Sequence, residues 1–324
     1  MERAAAATQR FIAIAASPPM TEPDISDSRR PEHRLAYRAA IDRPRLALPG
    51  GKHVAIWPVV NVEHWLIDNP MPRQILVAPT GAPLLPDLAN WGWHEYGMRV
   101  GFWRVLAAFA ARGLRPTLSI NGSVCGTYPR VAEAAHAAGW EFMGHGFHQV
   151  PTHRIADEPA MIARTLAAIR AVTGANPRGW LGPGLTETLD TPDHLAAAGL
   201  DYVGDWVVDD RPSRITTATK PLIALPYSVE LNDIPLLAIQ HHRADEFVAR
   251  ALAQVDRLAA EAAGDGPLSG AKVMSFAIHP YITGVPHRIG LLERLLEALC
   301  ARDDLWFAQG GDLVDWYRGT GDDA

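Results

Sequence analysis

Three polar side chains each stand at the end of an apolar run: Glu63 after residues 53–62, His145 after 140–144 and His279 after 272–278. A carboxylate and two imidazoles are groups that take up a proton, give one back or bind a metal near neutral pH. Active sites of α/β proteins collect at the carboxyl ends of their strands, so three strands ending this way predict one shared site. His145 lies between Gly144 and Gly146, and His145, His148 and His153 fall within nine residues. Glycine on both sides lets the chain turn sharply where an imidazole has to meet something, which a structural histidine does not need. For Glu63 the plainer reading is an exposed loop carboxylate. Its neighbours at the strand end, Asn61 and His64, favour a ligand or a base in an apolar setting instead. His148 and His153 read equally well as ordinary surface histidines.

A second group sits at helical spacing. Tyr96, Arg99, Trp103 and Arg104 share one helix face. Core packing accounts for Trp103. Arg99 lies near a helix start, where the dipole offers an arginine nothing, and is expected to pair with Glu95, Glu63 or a substrate oxygen.

The elements that would position these residues alternate strand and helix from residue 53 onward. Residues 54–62 read as a strand covered on both faces. Further strands are expected at 115–120, 140–145, 178–182, 201–206, 222–228, 272–278 and 305–308. The helices expected between and after them span 96–113, 128–139, 157–174, 191–199, 245–263, 288–302 and 312–318. Glycines close the first two of these, and Asp157 with Pro159 caps the third. About seven or eight such units joined by short connections predict a closed or nearly closed parallel barrel in one α/β domain. Residues 68–95 lack a period and carry Pro70, Pro72, Pro79, Pro83 and Pro86, as a long loop that covers a site would.

Composition narrows the function classes. With 30 Lys and Arg against 36 Asp and Glu, and no basic run, nucleic acid is not an expected partner. No apolar run reaches the ~20 residues that span a bilayer, so no membrane partner is expected either. Two cysteines, Cys125 and Cys300, make no disulfide framework and point to a reducing, cytoplasmic setting. Residues 11–16 behind Arg3 and Arg10 are too short for a secretory h-region, and Met20 is read as the true start, with 1–19 untranslated. Residues 1–45 are expected to be an N-terminal arm and 46–324 the barrel domain.

In chain order stand Asn61-Val62-Glu63, HEYGMRVGFWR at 94–104, EFMGHG at 141–146, GWLGPG at 179–184, PYSVELND at 226–233, AIHPYITGVPHRI at 277–289 and LWFAQGGDL at 305–313. Together these motifs resemble the polysaccharide deacetylase superfamily and, within it, the allantoinase-like branch. The resemblance runs from about residue 45 to the end. It implies a deformed (β/α)7-type barrel, hydrolysis of a non-peptide C–N bond, and a homodimer or homotetramer. The superfamily pattern places an Asp-x-Asp pair at the first strand end and two histidines four apart at the third. This chain has Asn61 and Glu63 at the first position, and His145 followed by Gln149 at the third. The resemblance therefore leaves the cofactor open. Glu63, His145 and His148 could hold a divalent metal such as zinc or manganese, His279 could complete such a site, or Glu63 and His145 could work on water without metal.

The reaction expected is attack of water on an amide carbonyl, with Glu63 and His145 holding or activating the water and His279 donating a proton to the leaving nitrogen. Backbone N–H groups or Arg99 would meet the oxyanion. Asn61 and Asn232 would read an amide edge, while Trp65, Trp93, Tyr96 and Trp206 would wall a small pocket beside Pro183 and Gly184. A small cyclic amide, ureide or imide suits such a pocket. An N-acetyl sugar or polysaccharide as deacetylation substrate is the alternative, and a non-catalytic ligand-binding protein the third.

Overall fold

The fold is that of a computed structural model, which describes residues 26–322. The reading of residues 1–19 lies outside the described residues. Strands β1 (Val54–Val62), β2 (Thr117–Ile120), β3 (Glu141–Gly144), β4 (Gly179–Trp180) and β5 (Tyr202–Val203) are followed by β6 (Ser213–Ile215) and β7 (Leu222–Ala224). The last two are β8 (Lys272–Ile278) and β9 (Leu305–Phe307). They form one sheet in the order β6-β7-β5-β4-β3-β2-β1-β8, with β9 also against β1. Every pairing is parallel except β6 with β7. The sheet curls into a half-barrel, so the expected deformed α/β barrel is the fold. On the far side of β8, closure rests on backbone contacts from loops: Val273 donates to Asp210 O, Ala277 donates to Leu231 O, and Asn232 bridges Ala277.

β1 is the axis of this arrangement. Its neighbour on one side is β8 throughout, and on the other side β9 gives way to β2 between Ile56 and Val59. Pro58 falls in that gap, which is how a central strand tolerates a residue without an N–H. Successive side chains alternate in a strand. Val54, Ile56, Val60 and Val62 therefore join Phe102, Phe109 and Leu118 in the outer core beneath the helices. Ala55, Trp57 and Val59 face inward and pack with Met143, Tyr202, Tyr227 and Ala277. Continuing the inward phase by twos leads from Val59 to Asn61 and Glu63, from Met143 to His145, and from Ala277 to His279. The strand period alone thus aims the three chemical side chains at one interior mouth.

Three stretches differ from the sequence expectation. Residues 88–95, read as loop, are helical: Leu88–Tyr96 runs through a π-turn at Gly97–Gly101 into Phe102–Ala110. Asp87 caps this helix by accepting from the Asn90 N–H. An apolar stripe was not legible there because the buried side chains are the polar Asn90, His94 and Glu95. Helix Gly122–Thr127 and the antiparallel β6 were also unexpected, each being too short to show a period. Of the 1–45 arm, the described part lies against the barrel: Arg34 is buried in an ion pair with Asp193, and Arg43 pairs with Asp209.

Candidate active site

Glu63, His145 and His279 meet. His279 Nε2 lies 3.4 Å from Glu63 Oε1, and His145 Nε2 lies 3.7 Å from the same oxygen. All three side chains are buried. Each imidazole is held from behind, as ring orientation requires. His145 Nδ1–H donates to Leu181 O at 2.6 Å, which leaves Nε2 to face Glu63. His279 Nδ1 is 2.6 Å from Asp233 Oδ1, while Asp233 Oδ2 accepts from the His279 backbone N–H and from Thr283 Oγ1.

Charge in the site is polarised by these contacts. Burial alone would depress the His279 pKa, but the Asp233 and Glu63 carboxylates outweigh it and raise it to about 9. Burial would likewise raise the Glu63 pKa, yet the facing His279 charge and imidazole hydrogen bonds hold it well below the usual carboxylate range. At neutral pH the pair is therefore carboxylate and imidazolium, with a second carboxylate behind the imidazolium.

Gln149 decides the metal question for this donor set. Its Nε2 donates to Glu63 Oε1 at 2.8 Å and lies 3.1 Å from His145 Nε2, while its Oε1 accepts from Asn121 Nδ2 at 3.0 Å. The reverse amide orientation would set Oε1 against the Glu63 carboxylate and Nε2 against the Asn121 donor. An amide N–H2 thus occupies the position between acid and imidazole that a divalent ion would need, and Trp65 Nε1 donates to the other Glu63 oxygen at 3.1 Å. His148 packs edge-on against His64 and Phe147 and makes no contact with Glu63. Among the described residues no three His, Cys, Asp or Glu side chains are grouped to hold a metal. The Glu63, His145, His148 metal set expected from sequence is therefore not assembled, and these residues do not fit a resident zinc or manganese. Gln149→His would replace the amide donor with an acceptor four residues after His145, and the variant is expected to bind zinc stoichiometrically. Calorimetry should show a gain of at least about tenfold in affinity over the wild type. Equal zinc affinity in both proteins would contradict this reading of Gln149.

The turn after β3 depends on Gly146, which has φ +67° and would set a Cβ 2.7 Å from the Pro183 ring. At Gly144 the need is different: a Cβ there would come within 2.7 Å of the Trp180 ring. The paired glycines thus serve a left-handed turn on one side of His145 and close ring packing on the other.

A cavity of about 570 Å³ is lined by Gln149 and Trp65, both bonded to Glu63, together with Pro183, Gly184 and residues 69–73. Of the other expected binding residues, Asn61 and Asn232 lie deeper, both donating to Tyr227 OH at 3.1 and 3.2 Å. Asn232 Oδ1 also accepts from Ile234 N, so its amide is used by the fold. Trp93 packs with His94 and Tyr281 behind Trp65. Tyr96, Arg99 and Trp206 do not line this cavity. Tyr96 accepts from Arg104, Arg99 is exposed and paired with Glu95, and Trp206 donates to Glu187. Asp233, Arg73 and the bridging role of Gln149 were not read from sequence. Asp233 stands one residue past Asn232 in a cluster of polar residues beyond a strand end, the same signal that marked Glu63. Arg73 gave none.

A curled parallel sheet with an acid after its first strand and imidazoles after its third and eighth is an arrangement in which the chain is similar to polysaccharide deacetylases. Residues 94–203 match the family model described as polysaccharide deacetylase. A Schizosaccharomyces pombe protein carrying the polysaccharide deacetylase name is 26% identical over 237 residues, 66% of this chain and 71% of its own. Among solved structures, a Pseudomonas aeruginosa PAO1 protein of the same name superposes with TM-score 0.79 at 24% identity, covering 89% of this chain and 99% of its own. PuuE allantoinase superposes with TM-score 0.77 at 23% identity, with the same coverage of each chain.

Proposed function

We propose that this protein hydrolyses a non-peptide C–N bond and opens a small cyclic amide, ureide or imide. The observation that carries this reading is the line Asp233–His279–Glu63 next to a cavity lined by Gln149 and Trp65, with the Gln149 amide where a metal would sit. Water over Glu63 gives a proton to the carboxylate as its oxygen bonds to the ring carbonyl carbon. The His279 imidazolium faces the developing oxyanion and then donates its Nε2 proton to the leaving nitrogen as the C–N bond breaks. Passage of the proton from Glu63 to His279 across their 3.4 Å contact restores both groups. His145, Nε2 outward, and Gln149 hold the Glu63 carboxylate in register. Arg99, exposed and paired elsewhere, has no part in this step.

The cavity volume lies within the usual range for small-ligand sites. The family description favours a second reading, release of acetate from an N-acetyl sugar. Incubation with hydantoins, cyclic imides and N-acetylglucosamine oligomers separates them: ring-opened acid is the expected product, and acetate release without ring opening would select the second. No turnover of any of them would leave ligand binding. Exposed Ile75, Leu76, Val77, Leu85 and Leu88 on the segment leading to the capped helix provide the surface for the homodimer or homotetramer we propose. We also propose a cytoplasmic location. No helix among the described residues is long and apolar enough to cross a membrane.

A further inference from the structure

The cavity wall is charged against the trend of the chain. The whole sequence carries 36 acidic residues against 30 Lys and Arg, yet this cavity is lined by Arg73 and Arg154 and by no Asp or Glu. The carboxylate beneath its floor, Glu63, is already met by His279, Gln149 and Trp65. Arg73 lies over the Trp65 ring, 5.8 Å from its centroid, and its Nη1 is 3.4 Å from Tyr281 OH. Among the described residues no carboxylate lies within ion-pair distance of either arginine. A half-buried guanidinium held by a ring face and a phenol, with its remaining donors unpaired, is a fork suited to a carboxylate. Arg154, exposed on the same cavity, adds a second positive charge. His64 and His148 complete that rim, and burial depresses the pKa of both, so they add no charge at neutral pH.

We propose that the substrate is anionic: a small cyclic amide or ureide that bears a carboxylate, bound by Arg73 and drawn in by Arg154. The proposal rests on the ring-hydrolase reading above and names its substrate class. A purely structural Arg73, tying its segment to Tyr281, would support any ligand equally, and this difference provides the test.

The experiment is calorimetric titration of the full chain with hydantoin-5-acetic acid and with its methyl ester, alongside ring-opening assays on the same compounds. The acid is expected to bind the wild type at least about tenfold more tightly than the ester, and Arg73→Gln to abolish that preference. Arg73→Lys should keep part of it. Arg154→Gln should weaken acid binding severalfold in a salt-dependent way and leave the ester unchanged. Equal affinity for acid and ester, loss of both ligands by the same factor in Arg73→Gln, or no binding of either ligand would overturn the proposal. Acid binding through Arg73 without ring opening would leave the anion site standing and remove the hydrolase reading. Opening of neutral rings with no preference for the acid would do the reverse.

Discussion

Glu63→Gln is expected to lower the ring-opening rate by roughly 10²–10⁴-fold, the usual contribution of a positioned acid–base group. Among the described residues, the substitution removes the only carboxylate that touches His279 Nε2, one bonded to the cavity-lining Gln149 and Trp65. Two further effects follow from the contacts. Glu63 Oε1 accepts from Gln149 and Oε2 from Trp65, so an amide at this position sets a donor against one of two donors. The His279 imidazolium also loses one of the two carboxylates that keep it charged. The loss should therefore appear mainly in kcat, because no cavity-lining residue is itself replaced, and circular dichroism should report a folded protein. Activity within tenfold of the wild type would remove Glu63 from the chemistry.

Asp233→Asn should have the second largest effect, on both activity and stability. The carboxylate accepts from His279 Nδ1, His279 N and Thr283 Oγ1, all in the barrel interior. Removing a buried charge from its partner costs about 3–5 kcal/mol, read as a lower melting temperature. The sign of the pH dependence is set by His279. Its folded pKa, about 9, exceeds the ordinary 6.5, so its contribution is fully present below about pH 6.5 and lost as pH rises through 9. Glu63 runs the other way: its depressed folded pKa contributes stability above the ordinary 4.5, and this is lost as pH falls. Wild-type activity should thus hold across neutral pH and fall on an alkaline limb near 9, where the imidazolium loses its proton. In Asp233→Asn that limb should move toward lower pH. An unmoved limb would mean that another group carries the proton.

Much of this was legible in sequence, for one physical reason. Strand side chains alternate, so an apolar strand followed by a polar residue in the inward phase announces where that residue points; Glu63, His145 and His279 all obey this rule. The helix capped at Asp157 and closed at Gly174 followed from its end signals. What escaped was whatever depended on contacts distant in sequence. Asp233 matters because a loop bridges β8 at Asn232 and Ala277, 45 positions apart. Gln149 looked like a lost ligand and is instead a donor to both neighbours, a distinction that only its amide orientation settles. Arg99 and Trp206 were placed at the site by residue type, whereas Glu95 and Glu187 hold them elsewhere. Arg73 lies in a proline-rich segment without period, where neither helix nor strand phase predicts which side chain turns inward.

The measurement that bears most directly on the charged Glu63–His279 pair needs no substrate. Histidines labelled at Cε1 can be titrated by NMR, with the His279 signal assigned by its loss in His279→Gln. We expect an apparent pKa near 9 in the wild type and lower values in both Glu63→Gln and Asp233→Asn. A wild-type value at or below the ordinary 6.5, unchanged in the variants, would contradict the account.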